Sequence, residues 1–262
     1  MSKNRKSDKG RDKDKRGLGR GEEYHSWIKG HEFSSIGIIH RLTGWIQRRL
    51  YQFFSNEEYY AFLIFQFDDK VIDIREQVPL KPIELTISIA DELGIKHPAE
   101  YNQVGKETVR TTDLLITVKE GDVIKDKAIS IKKFEDLKDL RTRQLLKIEE
   151  RYWEAKGKSW SVMTEKQIPK VMAENIAIIY DDYFWNEDNN FNSCQVKMYV
   201  EHFKYYFIKN NMDLNKTLVE FEENNGWGEG EGLNFLKFML AKKIVKTDMY
   251  IPFNFDNMKI VI

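Results

Sequence analysis

The 262-residue sequence holds 42 Lys plus Arg against 42 Asp plus Glu, a single cysteine, and a 41% hydrophobic, 13% aromatic composition. That apolar content excludes a disordered chain, the lone Cys194 excludes an internal disulfide framework or a Cys-rich zinc site, and no apolar run reaches the ~18 residues that span a bilayer. A charged N-terminus with no apolar stretch excludes a secretory signal, so a soluble, cytoplasmic protein of two domains with no membrane partner is expected.

The charge balance hides an asymmetry. Residues 1–20 carry nine basic groups against three acids, a net of +6, which leaves −6 for the rest. Nearly free of apolar side chains, this segment reads as a disordered basic arm, either a tether for a polyanion or a solubilising tail. Order is expected from near Tyr24. Residues 35–41 and 45–53 read as strands around a Thr43-Gly44 turn. Arg41, Arg48 and Arg49 alternate there with Trp45 and Tyr51, as a nucleic-acid surface or an ordinary exposed strand face would.

Ser55-Asn56-Glu57-Glu58 then forms a capping box ahead of an apolar helical run, 59–67. Residues 71–75 alternate as a strand that Pro79 and Pro82 bring to an end, and 83–93 form a helix before the loop Gly94-Ile95-Lys96-His97-Pro98. Next come two strands, 113–118 and 127–132, around Lys119-Glu120-Gly121-Asp122. A period of two sets Ile129 and Ile131 on one face, with one face buried and the face of Ala128 and Ser130 ending in Lys132. Asp113 lies opposite Lys132 only with a loop longer than the obvious turn, or a bulge.

A charged helix over 137–156 and a strand over 160–164 complete an α/β domain spanning 21–166. Beyond Pro169 the pattern turns helical, over 170–180, 193–209, 215–223 and 232–243, with a polar linker at 181–192. A terminal strand pair, 246–252 with 258–262, makes 167–262 winged-helix-like. The glycine-rich 226–232 lacks the lysine of a phosphate loop and follows no strand, so it reads as a flexible loop.

Hydrolysis of a phosphodiester needs oxygen ligands for a hard divalent cation, a poised water, and positive charge near the nonbridging oxygens. Glu58 on a helix, Asp113 at one strand's start and Lys132 at its partner's end have the residue types and order of such a site, with the Ile131 carbonyl as a further oxygen donor. Each also has an ordinary explanation: half of a capping box, a strand-initiating acid, and a solvated strand end beside Lys133.

Arg75-Glu76-Gln77 within 73–80, Gly94-Ile95-Lys96-His97-Pro98, Thr112-Asp113, Glu149-Glu150-Arg151-Tyr152-Trp153 and the opening Gly19-Arg20-Gly21 together resemble the TnsA family, endonuclease subunits of heteromeric Tns-type transposases. The resemblance covers roughly residues 17–180 and weakens over the C-terminal third. It implies a restriction-endonuclease-like (PD-(D/E)xK) mixed sheet flanked by helices, followed by a mainly helical, winged-helix-like C-terminal domain. By position, the family's metal-binding acids fall on Glu58 and Asp113, and its lysine on Lys132. The family's Gln or Glu two residues before the lysine is here Ser130, too short to be a charged ligand. Glu149 is a candidate replacement, although an exposed glutamate paired with Lys147 or Arg151 is the plainer reading. Glu76 and Gln77 could orient the site or cap a strand end, and His97 could approach a phosphate or serve only its loop.

The resemblance further implies Mg2+, two ions with Mn2+ as a substitute, and 5′-strand cleavage of double-stranded DNA at transposon ends. An integrase-type, TnsB-like subunit would cut and join the 3′ strands, and both it and an AAA-type, TnsC-like ATPase would dock on the C-terminal region. The helices there carry Phe203, Tyr205, Tyr206, Phe207, Phe235 and Phe238 as either core or interface. A non-catalytic adaptor of the same fold and a repair or restriction nuclease are the rival expectations.

Overall fold

The computed structural model describes residues 6–32, 38–99 and 107–262; Lys3, Arg5 and positions 35–37 of the first expected strand lie outside them. The expectation of a disordered arm over 1–20 is corrected for residues 6–20. Helix α1 (Asp8–Lys13) is capped by Ser7, whose side chain accepts the Gly10 amide. Arg11 and Arg16 are buried, and both bond Glu32, at 2.9 and 2.8 Å. Burial alone would push the Glu32 carboxyl up, but the hydrogen bonds from Arg16 and Arg11 hold it below its ordinary value. A segment with no core of its own is thus held by a carboxylate sixteen or more residues away, a partner that local composition does not reveal.

Strands β1 (His40–Thr43) and β2 (Leu50–Phe53) form a separate two-stranded ribbon. Helix α2 (Asn56–Phe67) follows, its Phe62 ring 4.6 Å from both Tyr51 and Phe53. Arg49 lies 3.7 Å over Tyr51 and pairs with buried Glu76 at 2.6 Å, and Trp45 is buried. Arg49, Tyr51 and Trp45 therefore build the interior, which corrects their reading as an exposed face.

The main sheet contains β3 (Val71–Pro79), β4 (Thr111–Glu120), β5 (Val123–Ile131) and β6 (Ser159–Met163) in that spatial order; β6 runs parallel to β5 and the other pairs are antiparallel. Helices α3 (Ile83–Glu92) and α4 (Leu140–Ala155) pack with it around Val78, Leu80, Ile89, Leu115, Ala128, Ile148 and Trp153. Glu120 pairs with Val123, so Gly121-Asp122 is a two-residue turn and the ladder runs without a bulge to Leu114 opposite Ile129. The register that would set Asp113 directly opposite Lys132 is therefore wrong. So is the single buried face, since Ala128, Ile129, Ser130 and Ile131 are all buried. Layers cover both sides of β5, and its alternation no longer separates core from solvent.

The chain divides into two compact units, Met1–Ile168 and Pro169–Ile262. In the second, α5 (Lys170–Ile179), α6 (Trp185–Asp188), α7 (Ser193–Lys209), α8 (Leu214–Asn225) and α9 (Glu231–Ala241) enclose Trp185, Phe203, Phe221 and Phe235. The expected linker at 181–192 instead carries α6 and buries Trp185, 4.9 Å from the Phe235 ring. Phe203, Phe207, Phe235 and Phe238 are core and Tyr205 is exposed. The expected terminal strand pair reduces, among the described residues, to one bridge between Lys246 and Val261. Gly226 is the left-handed cap that ends α8, and the Gly230 and Gly232 amides donate to Glu222, so this loop is tied down.

Candidate active site

Glu58 owes its position to the cap it helps to make. Ser55 takes the Glu58 amide at 3.1 Å, and the Glu58 carboxylate turns back to accept Ser55 Oγ at 3.2 Å and the Phe54 amide at 3.3 Å. The backbone donor is thus Phe54 rather than the cap residue itself. Gln77 Nε2 reaches the same carboxylate at 3.4 Å. Gln77 has φ +50°, a left-handed conformation inside a strand that costs on the order of 1 kcal/mol. Its Oε1 accepts Thr111 Oγ1 at 3.1 Å.

Asp113 lies one residue beyond the β4–β5 ladder. Its Oδ2 accepts the Ile131 amide and Lys132 Nζ, both at 2.7 Å, and Lys132 Nζ also donates to the Ile131 carbonyl at 2.8 Å. The register thus brings Asp113 and Lys132 together diagonally, through the strand end, without the longer loop.

Electrostatics link these groups to Glu58. Burial, then the charge of Asp113, pushes the Glu58 carboxyl up to about 7, against the Phe54 amide and Lys132. Burial alone would lower the Lys132 ammonium, but Asp113 raises it above its ordinary value. Lys132 therefore stays charged at neutral pH.

Glu149 is not the exposed, ion-paired glutamate of the plainer reading. Only 2% exposed, it accepts Thr112 Oγ1 at 2.7 Å and Trp160 Nε1 at 3.3 Å, as well as the Ser130 hydroxyl, all on Oε1. Burial and the charge of Asp113 hold its carboxyl above the ordinary range. Lys147 pairs with Glu150 and Arg151 with Glu154. A signal was present in the sequence: Leu146, Glu149 and Trp153 share one face of α4 at spacings of three and four, and that face is the apolar one. Ser130 is wholly buried with its hydroxyl committed to Glu149.

Two other candidates are placed elsewhere. Glu76 is consumed by its pair with Arg49. His97 is buried in its loop, its ring nitrogens 3.0 Å from Thr86 Oγ1 and the Pro98 carbonyl, which removes it as a phosphate contact.

Residues 68–165 match the family model described as TnsA-like endonuclease N terminal, and residues 167–249 the one described as TnsA endonuclease C terminal. The chain belongs to the TnsA-like endonuclease family. It is 38% identical over 168 residues to the Transposon Tn7 transposition protein TnsA of Escherichia coli, a stretch covering 64% of this chain and 60% of that relative. Asp113, Lys132 and Glu149 lie inside the N-terminal family match, and Glu58 precedes it.

Among the described residues no group of three or more His, Cys, Asp or Glu side chains is arranged to hold a metal ion. The oxygen donors nevertheless suit a hard cation, since Mg2+ needs only one or two carboxylates and completes its shell with water. Both protein bonds to Asp113 fall on Oδ2, and burial together with the charge of Asp113 raises Glu58, a cost that a bound cation would reduce. No helix is long and apolar enough to cross a membrane among the described residues.

Proposed function

We propose that this chain is a Mg2+-dependent DNA endonuclease that hydrolyses the 5′ strands of double-stranded DNA at transposon ends. The observation that carries this reading is the ion pair of Asp113 with Lys132 at 2.7 Å, beside a buried Glu58 whose carboxyl is raised by that burial and by the same aspartate. Glu58, Asp113 and the Ile131 carbonyl would hold the cation, with Mn2+ able to replace Mg2+. Bound there, it would supply positive charge at the scissile phosphate and acidify an attacking water.

Lys132 acts as a fixed ammonium and not as a base, because its proton is held by Asp113 and the Ile131 carbonyl. From there it orients the water and balances charge on the nonbridging oxygens. Gln77 and the Ser55–Phe54 cap aim the Glu58 carboxylate, and Glu149, fixed by Ser130, Thr112 and Trp160, stands buried behind Asp113.

The Escherichia coli relative is a transposition protein, and we place this chain in the same kind of assembly, with an integrase-type subunit for the 3′ strands and an AAA-type ATPase. The test is nicking of a transposon-end duplex by the reconstituted assembly in Mg2+. Wild-type protein should cut the 5′ strands, and Asp113→Ala or Glu58→Ala should not. Equal cutting by Asp113→Ala would overturn the mechanism.

One observation favours a second reading, a non-catalytic adaptor bridging ATPase and integrase subunit: Ser130 stands where the family carries Gln or Glu. Calorimetry separates the two. Mg2+ uptake by wild type that is lost in Glu58→Gln supports the nuclease, and no uptake by either supports the adaptor.

A further inference from the structure

We propose that residues 6–20 form a pre-organised ledge that grips the phosphate backbone of duplex DNA beside the catalytic end of the sheet. This rests on the endonuclease reading. The segment is not a loose basic tail. Gly17 donates its amide to the His25 carbonyl at 2.6 Å, Arg16 bonds the Trp27 carbonyl at 3.2 Å, and the two arginines close on buried Glu32.

The docking point lies next to the catalytic groups. Gly17 sits so close against Pro79 that a Cβ on it would come within 2.2 Å of the proline ring, at φ +73°. Asp12 pairs with Lys81, and Asp8 accepts the Val109 amide at 3.2 Å. Pro79 pairs with Thr111, two residues before Asp113. The Trp27 amide also reaches the carbonyl of Gln77, whose side chain touches Glu58.

The charges are sorted by this docking. All three acids of the segment are engaged: Asp8 with Arg11, Asp12 with Lys81, and Asp14 with Lys6 and Arg16. Lys9, Lys13 and Lys15 are exposed and take part in no ion pair among the described residues. Asp12 and Asp14 stay exposed but are paired, so the unpaired charges this segment turns to solvent are lysines, carried on a docked backbone that meets less ordering cost on binding than a flexible tail would.

The experiment measures anisotropy of a labelled duplex of about 30 base pairs of arbitrary sequence with the full-length protein in EDTA, across ionic strength. Changing Lys9, Lys13 and Lys15 to alanine together should weaken binding at least about tenfold and reduce the slope of log K against log salt by up to about 3. Glu32→Ala and Gly17→Ala leave those lysines in place but release the arm. A ledge loses affinity in both variants as in the triple variant; a tether loses it only in the triple variant, which would overturn the proposal.

Unchanged binding in the triple variant, or no duplex binding by wild type at low salt, would overturn it too and point to an acidic protein partner. Thermal unfolding of each variant separates undocking from global collapse, and Gly17→Ala, at the surface of the clamp, is the safer of the two. Because EDTA removes cleavage from the readout, failure of the ledge and failure of the endonuclease reading are scored separately.

Discussion

The two ends of the β4–β5 hairpin hold two buried charge clusters of opposite character. Toward the turn, Asp126 accepts from Thr117 at 2.7 Å, Arg75 at 3.2 Å, Arg20 at 2.9 Å and Lys158 at 2.5 Å, while Asp73 pairs with Arg75. Burial would raise Asp126, but Lys158, Thr117 and Arg75 hold it down at about 2. At the other end, Glu58, Asp113 and Glu149 share the single ammonium of Lys132, and Glu58 rises to about 7. The same strands thus carry one cluster with cations in excess and one with too few. A structural cluster satisfies its own charges; a cluster that awaits an external cation leaves the deficit standing.

The strongest way to break this comparison is to remove one carboxylate from each end. Asp113→Ala should lower the cleavage rate by about a thousandfold while leaving the melting temperature nearly unchanged, read by strand nicking beside calorimetry. Asp126→Ala should do the reverse, destabilising by about 1–3 kcal/mol because Thr117 loses its acceptor and Arg75 keeps only Asp73 as an acidic partner, with cutting per folded molecule preserved. Equal stability losses in the two variants would show that both clusters are structural.

The pH dependence sharpens the contrast because the signs oppose. A raised Glu58 contributes stability that is present below its unfolded value near 4.5 and lost as pH rises through about 7, on the order of 3 kcal/mol without a cation. A depressed Asp126 contributes stability present above its unfolded value near 3.8 and lost as pH falls toward about 2. Mg2+ should therefore raise the melting temperature at pH 8 and do little at pH 5, and Glu58→Gln should abolish that difference. A Mg2+ effect independent of pH would contradict the deficit.

The smallest effect concerns Gln77. Gln77→Gly relieves the left-handed backbone and should stabilise by up to about 1 kcal/mol, yet it loses the contact to Glu58 and should slow cutting by about tenfold. Denaturant midpoints and nicking rates moving in opposite directions would mark Gln77 as a positioning residue.

Much of the secondary structure was legible because it depends on short-range rules. The Ser55 cap, the Pro79 strand end and α7 at Ser193–Lys209 stand where spacing places them. The failures cluster where a distant partner decides. Arg11 and Arg16 look like tail charges until Glu32 meets them, and residues 181–192 look like a linker until Trp185 finds Phe235 and Phe238. The terminal strand pair shrank to a single bridge because alternation in a short segment does not guarantee a ladder.

The sequence by itself offered Glu58, Asp113 and Lys132 as candidates, by residue type and by the family resemblance that lifts them above their ordinary explanations, and it determined the cap of the helix that carries the first. Only the tertiary structure decided how they meet: Asp113 reaches Lys132 diagonally past a two-residue turn, and Glu149 stands buried behind them. The physical reason is range. Capping and pleat alternation act within a few residues, whereas register and the burial of a charge depend on groups that only folding brings together.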